Sequence, residues 1–313
     1  MPGTIIRTVA LIGANGKVGP AILQALLDTK SFQVTVISRK SSKSTYQQAS
    51  VKVEQLDDSL PHAQLVETLR GQDALVIAFA GSQVTENSIK LADAAFEAGV
   101  KHIIPADYGS CDSSDPKSLE VIPLYKGKKE VREHLIGLSQ RPRPDIGSHL
   151  TWTSLITGHF LDYGLKSGLL AVDVEEHKAR VFDGGEIRFS ATTLADIGLA
   201  TARILGRVGD ARLSNKLVYV QSLATTQNEL IGKVEDVVGS KFEVEQVSSD
   251  EYIRKQKGLL TGDDRKDGDA ILELVSVEGT INADWEGKGD LLVNDVLGIP
   301  NRGLDQLVME ALQ

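Results

Sequence analysis

The sequence predicts an α/β fold: a doubly wound parallel sheet followed by a smaller mixed C-terminal lobe. Three observations predict it. Short β-branched runs alternate with helical segments through the first half. Those runs are almost continuously apolar, as strands buried on both faces must be. A glycine-rich turn separates the first run from the first helix. The runs fall at 9–12, 34–37, 51–53, 74–78, 102–104 and 150–156. Between them, Val18, Ala21, Ile22, Ala25 and Leu26 share one helical face. Leu65 and Leu69 share a second, Ile89, Ala92, Ala95 and Phe96 a third, and Val131, Leu135 and Leu138 a fourth. Right-handed crossovers then wind the chain over both faces of the sheet. The proline-rich stretch at 141–145 reads as an inserted surface loop.

Beyond residue 157 the alternation loosens. Phe182-Asp183-Gly184-Gly185 reads as the turn of a hairpin, and 217–220 as a strand. Leu194, Ile197, Thr201, Ile204 and Leu205 mark a helix face, and Leu230 to Val238 a helix closed by Gly239. A last helix runs over 304–312. The expected division is 1–157 for a ligand-binding domain and 158–313 for a second lobe, with the strand near 216–221 returning to the first sheet. Trp152 reads as core, and Trp285 either caps a pocket or covers a helix.

Composition narrows the function classes. The chain has 313 residues and a formal charge of −9, with no basic run long enough to track a phosphate backbone. No nucleic-acid partner is expected. One cysteine, Cys111, leaves no intrachain disulfide and no cysteine-based metal site, and the histidines show no ligand spacing, so no metal is expected. No stretch approaches the ~20 apolar residues that span a bilayer, and the first apolar run leads straight into the glycine turn rather than a cleavage site. The expectation is a cytoplasmic protein without a membrane partner, either a monomer or a homodimer.

Gly13-Ala14-Asn15-Gly16-Lys17-Val18-Gly19 sits between the first strand and the first helix. Gly13 permits a tight turn, Gly16 lets a pyrophosphate approach the backbone, and Gly19 lets the helix pack closely on the sheet. The helix N-terminus adds free N–H groups and a dipole worth about 0.3–1 kcal/mol toward an anion. Asn15, Lys17 and Val18 line that loop, and Ala80 follows the fourth strand. Strand two ends Ser38-Arg39-Lys40, where NAD-selective sites place a carboxylate for the ribose 2′-OH. A cation here suits a 2′-phosphate and favours NADP(H) by about 10- to 100-fold. Asp57, just after strand three, suits either the adenine edge or a helix N-cap.

Together with Ile104-Pro105-Ala106-Asp107-Tyr108-Gly109 and Lys128-Lys129-Glu130-Val131-Arg132, these motifs resemble the isoflavone reductase-like and NmrA-like branch of atypical short-chain dehydrogenases, most of all its fungal members. Val181-Phe182-Asp183-Gly184 and Asp196-Ile197-Gly198 extend the likeness over almost the whole chain. The resemblance implies a Rossmann domain, NADP(H), and a small lobe over the nicotinamide. Plant members reduce phenolic and phenylpropanoid-type substrates. The segment after strand five usually reads Pro-Ser-Glu-Phe-Gly, so this chain lacks that Ser hydroxyl at Ala106. The family's catalytic lysine, three residues before a Val/Ile-Arg pair, maps onto Lys128, beside the cofactor. Such a lysine polarises the acceptor or serves as general acid. Tyr125 and Lys129 alternatively satisfy the Tyr-x-x-x-Lys spacing of ordinary short-chain dehydrogenases. The lysines at 126, 128 and 129 can equally decorate an exposed helix start. His159, Phe160 and Tyr163 follow strand six and are candidates for an aromatic substrate pocket or for packing between lobes.

The expected function is therefore an NADPH-dependent reductase of a small aromatic or polyketide-like carbonyl or conjugated double bond. A second expectation is a non-catalytic, NADP(H)-sensing regulator of the NmrA type. A third, an epimerase or dehydratase, draws only on Tyr125 and Lys129. The 111–115 loop has no reading at this level.

Overall fold

In the computed structural model, residues 5–46, 51–81, 83–143, 147, 149–263 and 266–313 are described. Strand β1 (Thr8–Ile12) lies inside a seven-stranded sheet. The chain continues through α1 (Gly19–Asp28), β2 (Gln33–Arg39), β3 (Lys52–Leu56), α2 (His62–Leu69), β4 (Ala74–Ile77), α3 (Val84–Ala98) and β5 (His102–Ile104). Then follow α4 (Leu124–Gln140), β6 (Thr151–Ile156), α5 (Leu194–Leu205) and β7 (Lys216–Tyr219). The spatial order is β7-β6-β5-β4-β1-β2-β3. All pairings from β3 to β6 are parallel. The bonds Asn215 N to Trp152 O and Val220 N to Ile156 O advance in step, so β7 is parallel too. The order reverses between β1 and β4, the switch point outside which such sheets bind ligands. β1 and β4 are almost wholly buried, which is why they read as unbroken apolar runs.

The chain divides into two compact units: Met1–Asp107, Gly127–Leu155 and Ile197–Val218 form one, and Tyr108–Lys126, Ile156–Asp196 and Tyr219–Gln313 the other. In the first unit, α5 packs on α1 closely enough that a Cβ on Gly198 would lie 2.3 Å from the Ala21 carbonyl oxygen. In the second unit, Phe189–Thr192 pairs antiparallel with Leu223–Thr225 and parallel with His159–Phe160. Lys178–Phe182 pairs antiparallel with Val172–Asp173 and parallel with Glu243–Val247. Leu161, Phe189, Leu230, Val234 and Leu307 belong to its core. No helix among the described residues is long and apolar enough to cross a membrane.

Three local expectations need correction. Phe182 to Gly185 is a turn, with Gly185 N bonded to Phe182 O at 2.9 Å, but it does not make a hairpin. The strands on either side of it belong to different sheets, and the Asp183 carboxylate turns instead to Ser249 N at 3.0 Å. The proline-rich stretch is not wholly a surface loop. Arg143 is buried, donating to the carbonyls of Phe96 and Val100 beyond the end of α3. Residues 144 and 145 of that stretch lie outside the described ones. Trp285 is packed inside rather than capping a pocket open to solvent: it is among the largest fully buried side chains, its ring 4.7 Å from that of Tyr219. Trp152 is core, as its place in a central strand implies.

His102 opens β5, fully buried, with Nδ1 2.8 Å from Thr151 Oγ1 and no partner for Nε2 among the described residues. Burial alone pushes its pKa down to about 3. The unfolded chain therefore binds the extra proton between that value and about 6.5. Stability from this site is fully present above about pH 6.5 and is lost as pH falls through that window. Chemical unfolding should show about 2 kcal/mol less stability from this site at pH 5 than at pH 6.5. His102→Leu should flatten that part of the profile; an unchanged slope in the variant would contradict the assignment.

Candidate functional site

The loop after β1 is built from backbone. Gly13 has φ +88°, and a Cβ on it would meet the Ala78 carbonyl carbon at 2.6 Å. A Cβ on Gly16 would come within 2.8 Å of Ala78 O, and one on Gly19 within 2.1 Å of Gly13 O. Gly16 N closes the turn onto Gly13 O at 2.8 Å. Only glycine fits these three positions. Val18 precedes α1 and supplies no side-chain cap, so no side chain takes the first N–H groups of the helix there. A diphosphate fits such a cradle, since it needs donors and close backbone approach rather than side chains.

The residues around the cradle separate by what they already hold. Arg39, at the end of β2, is exposed; its guanidinium makes no hydrogen bond or salt bridge among the described residues, and its charge adds to the Ser41 hydrogen bonds in holding the Asp58 carboxyl below its usual range. Lys40 is engaged, 2.6 Å from Asp57 Oδ1. Asp57 also accepts from Gln64 Nε2 at 2.7 Å. The Lys40 hydrogen bond, more than any other contact, holds its carboxyl below the usual range. Asp57 is thus no N-cap; Pro61 holds that position before α2. Exposed Asn15 donates to the Tyr46 hydroxyl at 2.8 Å, a contact without a sequence signal. Ala80 is exposed beside Gly81, whose φ is +123°. Lys17 is exposed on the loop.

Lys128, on the first turns of α4, donates its ammonium to the backbone carbonyl of Asp107 in the loop after β5. The Asp107 carboxylate is buried and accepts from Arg132 Nη2 at 2.9 Å and from Ser154 Oγ. Gly127 lets α4 approach α3: a Cβ there would lie 2.0 Å from Thr85 Oγ1. A cavity of about 10 Å³, room for one water, is lined by Thr85, Ser88, Ala106, Asp107 and Lys128 among others. Ala106, where the family resemblance leads one to expect a Ser, is thus at this cavity. The Asp107-Arg132-Ser154 cluster was missed in the sequence, where only the Val131-Arg132 pair hinted at it.

In the second unit, Tyr125 is buried, its hydroxyl 2.8 Å from Ser110 Oγ and accepting from Cys111 N at 3.2 Å. Lys129, by contrast, belongs to the first unit, is partly exposed and lies 3.8 Å from Glu133. The 111–115 loop combines local caps with distant partners, since Asp112 also accepts from the Tyr219 hydroxyl at 3.3 Å and Asp115 from Asn282 Nδ2 at 3.0 Å. Asp112 accepts from Ser114 N at 2.8 Å, and Asp115 caps Pro116–Val121 through Ser118 N at 2.9 Å. Burial pushes the Cys111 thiol far up, so it carries no nucleophile. His159 is buried against Phe189, ring centroids 5.3 Å apart, with Nε2 3.2 Å from Thr280 Oγ1. Burial holds its pKa down to about 4. Gly279 makes room for it, since a Cβ there would lie 2.9 Å from both His159 Nε2 and Ser110 Cβ. Phe160 and Tyr163 remain partly exposed.

With this geometry in hand, the chain can be set beside known proteins. The model of the NmrA-like family matches residues 6–280. The chain belongs to the NmrA-like family. Oxidoreductase AprR of Aspergillus flavus is 30% identical over 97% of this NmrA-like chain and 98% of its own. Oxidoreductase PoxI of Penicillium oxalicum is 28% identical over 96% and 92%. Among solved structures, AtPrR2 with NADP+ and (+)-pinoresinol superposes with a TM-score of 0.75 at 20% identity, covering 99% of each chain. The NADPH-dependent quinone oxidoreductase QOR2 of Escherichia coli gives 0.69 at 22% identity, covering 97% of this chain and 100% of its own. At these identities the structures share the fold.

The exposed guanidinium of Arg39, which has no direct salt bridge among the described residues, sets a direct expectation. Arg39→Ser should weaken NADPH binding by about 10- to 100-fold while leaving NADH binding within about twofold. Fluorescence titration with both dinucleotides measures it, and an equal loss for both would show that Arg39 does not read the 2′-phosphate.

Proposed function

We propose that this protein is an NADPH-dependent reductase of a small aromatic or polyketide-like carbonyl or conjugated double bond, with Lys128 as its proton-handling group. The observation that carries the reading is the partly buried Lys128 ammonium, fixed on the Asp107 carbonyl at the carboxyl end of the parallel sheet. Support comes also from the relatives of matching length, which are named oxidoreductases. Structural neighbours include an isoflavone reductase, a leucoanthocyanidin reductase solved with NADPH, an NADPH-dependent quinone oxidoreductase and AtPrR2 solved with NADP+ and (+)-pinoresinol.

The residues present fit the dinucleotide. Gly13, Gly16 and Gly19 leave the backbone bare for its diphosphate, and Arg39 is placed for its 2′-phosphate. Asn15, Lys17, Val18 and Ala80 would border it, and Asp57 would act through Lys40 rather than on the adenine. When bound, NADPH supplies the hydride. Lys128 then has two tasks: its positive charge stabilises negative charge gathering on the acceptor oxygen, and its Nζ delivers the proton. Tyr125 is the weaker candidate, because Ser110 and the Cys111 amide already share its hydroxyl. Phe160 and Tyr163, partly exposed, are the remaining candidates for substrate contact, whereas His159 is committed to packing.

The test compares wild type with Lys128→Ala by NADPH consumption on a panel of aromatic ketones, aldehydes, quinones and enones, after equal NADPH affinity is shown. The expected result is turnover by wild type and a loss of at least ~100-fold in the variant. Full activity in the variant would remove Lys128 from the chemistry. Tight binding without turnover on any acceptor would instead favour a dinucleotide-sensing regulator.

A further inference from the structure

We propose that the buried Asp107–Arg132 ion pair is a positioning device for the Lys128 amine, an inference that rests on Lys128 being the proton-handling group. Lys128 and Arg132 are four residues apart on α4 and so project from one face, one turn apart. They grip the same residue at two points. Arg132 takes the Asp107 carboxylate at 2.9 Å, and Lys128 takes the Asp107 backbone carbonyl. Ser154, fully buried on β6, holds the carboxylate from the sheet side.

The backbone between these points has little freedom. Asp107 N turns back onto Pro105 O at 2.8 Å, and the next residue, Tyr108, has φ +34°. A bulky side chain rarely adopts that conformation and keeps it only where neighbours enforce it. The helix end is fixed as well, because Gly127 sits against Thr85 with no room for a Cβ. Fixing the carboxylate therefore fixes the carbonyl, and the carbonyl fixes the ammonium. With side-chain exposures of 3% and 9%, Asp107 and Arg132 are an expensive pair to bury if packing alone were required. Apolar residues of the same volume would fill the space at least as well.

The test replaces the pair together, Asp107→Asn with Arg132→Met, so that no lone charge is left buried. Circular dichroism and thermal unfolding check the fold. NADPH affinity should stay within about twofold and KM within about threefold, while kcat falls about 10- to 100-fold, the loss expected when a reacting group drifts by about an ångström. In the ligand-free protein labelled with 15N-lysine, the Lys128 ammonium signal, assigned by its loss in Lys128→Arg, should be seen in wild type and vanish into fast solvent exchange in the double variant. If the double variant does not fold, Asp107→Asn alone should show the same changes in smaller measure, with kcat down about 3- to 10-fold. A folded variant with the ammonium signal retained would overturn the positioning role, whatever its kcat. Loss of the signal together with undiminished turnover in Lys128→Ala would leave the positioning intact and remove the catalytic reading instead.

Discussion

The backbone of Gly13 and Gly16 lies against the backbone of Ala78, with no space for a side-chain carbon on either glycine. This contact draws the loop after β1 onto the end of β4, where the strand order reverses. A single Cβ would push the loop away from β4 and tilt α1 with it, since Gly19 is closed in the same way by Gly13 O. The same closeness that makes the turn possible leaves its amides uncovered by side chains. Packing and ligand binding thus impose one requirement on three residues, and Gly16 answers to the fold before any phosphate arrives.

Charge is distributed according to burial. On the surface beside the cradle, Lys40 is held by a salt bridge to Asp57, while Arg39 has only the longer-range field of Asp58, so the cation able to fork onto a phosphate is the one without a direct salt bridge. Inside, Asp107 and Arg132 neutralise each other, with Ser154 taking a further lone pair. Lys128 stands between these regimes, partly buried and held by a neutral carbonyl.

Much of the first unit could be read from the chain. Strands 9–12, 34–37, 74–78 and 102–104 are covered on both faces and so carry nearly continuous apolar runs, interrupted by the buried Thr35 and His102. The strand at 52–56 is an edge strand with Lys52, Val53 and Gln55 exposed, and its signal was correspondingly short. In the second unit the signals fail for identifiable reasons. Glu243–Val247 is mostly exposed and offers no apolar alternation. His159–Phe160 and Val172–Asp173 are too short to have a period. Leu161–Ser167 is a helix carrying an interior Gly164, which packs against Leu170 and reads as a loop. The glycine turn was legible because it is a local motif, and Arg39 and Lys128 stand out as candidates for the same reason. The Asp107 cluster joins positions 107, 132 and 154, and no local pattern announces a pairing at that range.

The most direct measurement is a crystal structure of the protein with NADP+. The diphosphate is expected on the backbone between Gly13 and Gly19, the 2′-phosphate on Arg39, and the nicotinamide ring within reach of Lys128 Nζ. A dinucleotide bound with its 2′-phosphate away from Arg39, or with its nicotinamide remote from Lys128, would contradict that placement.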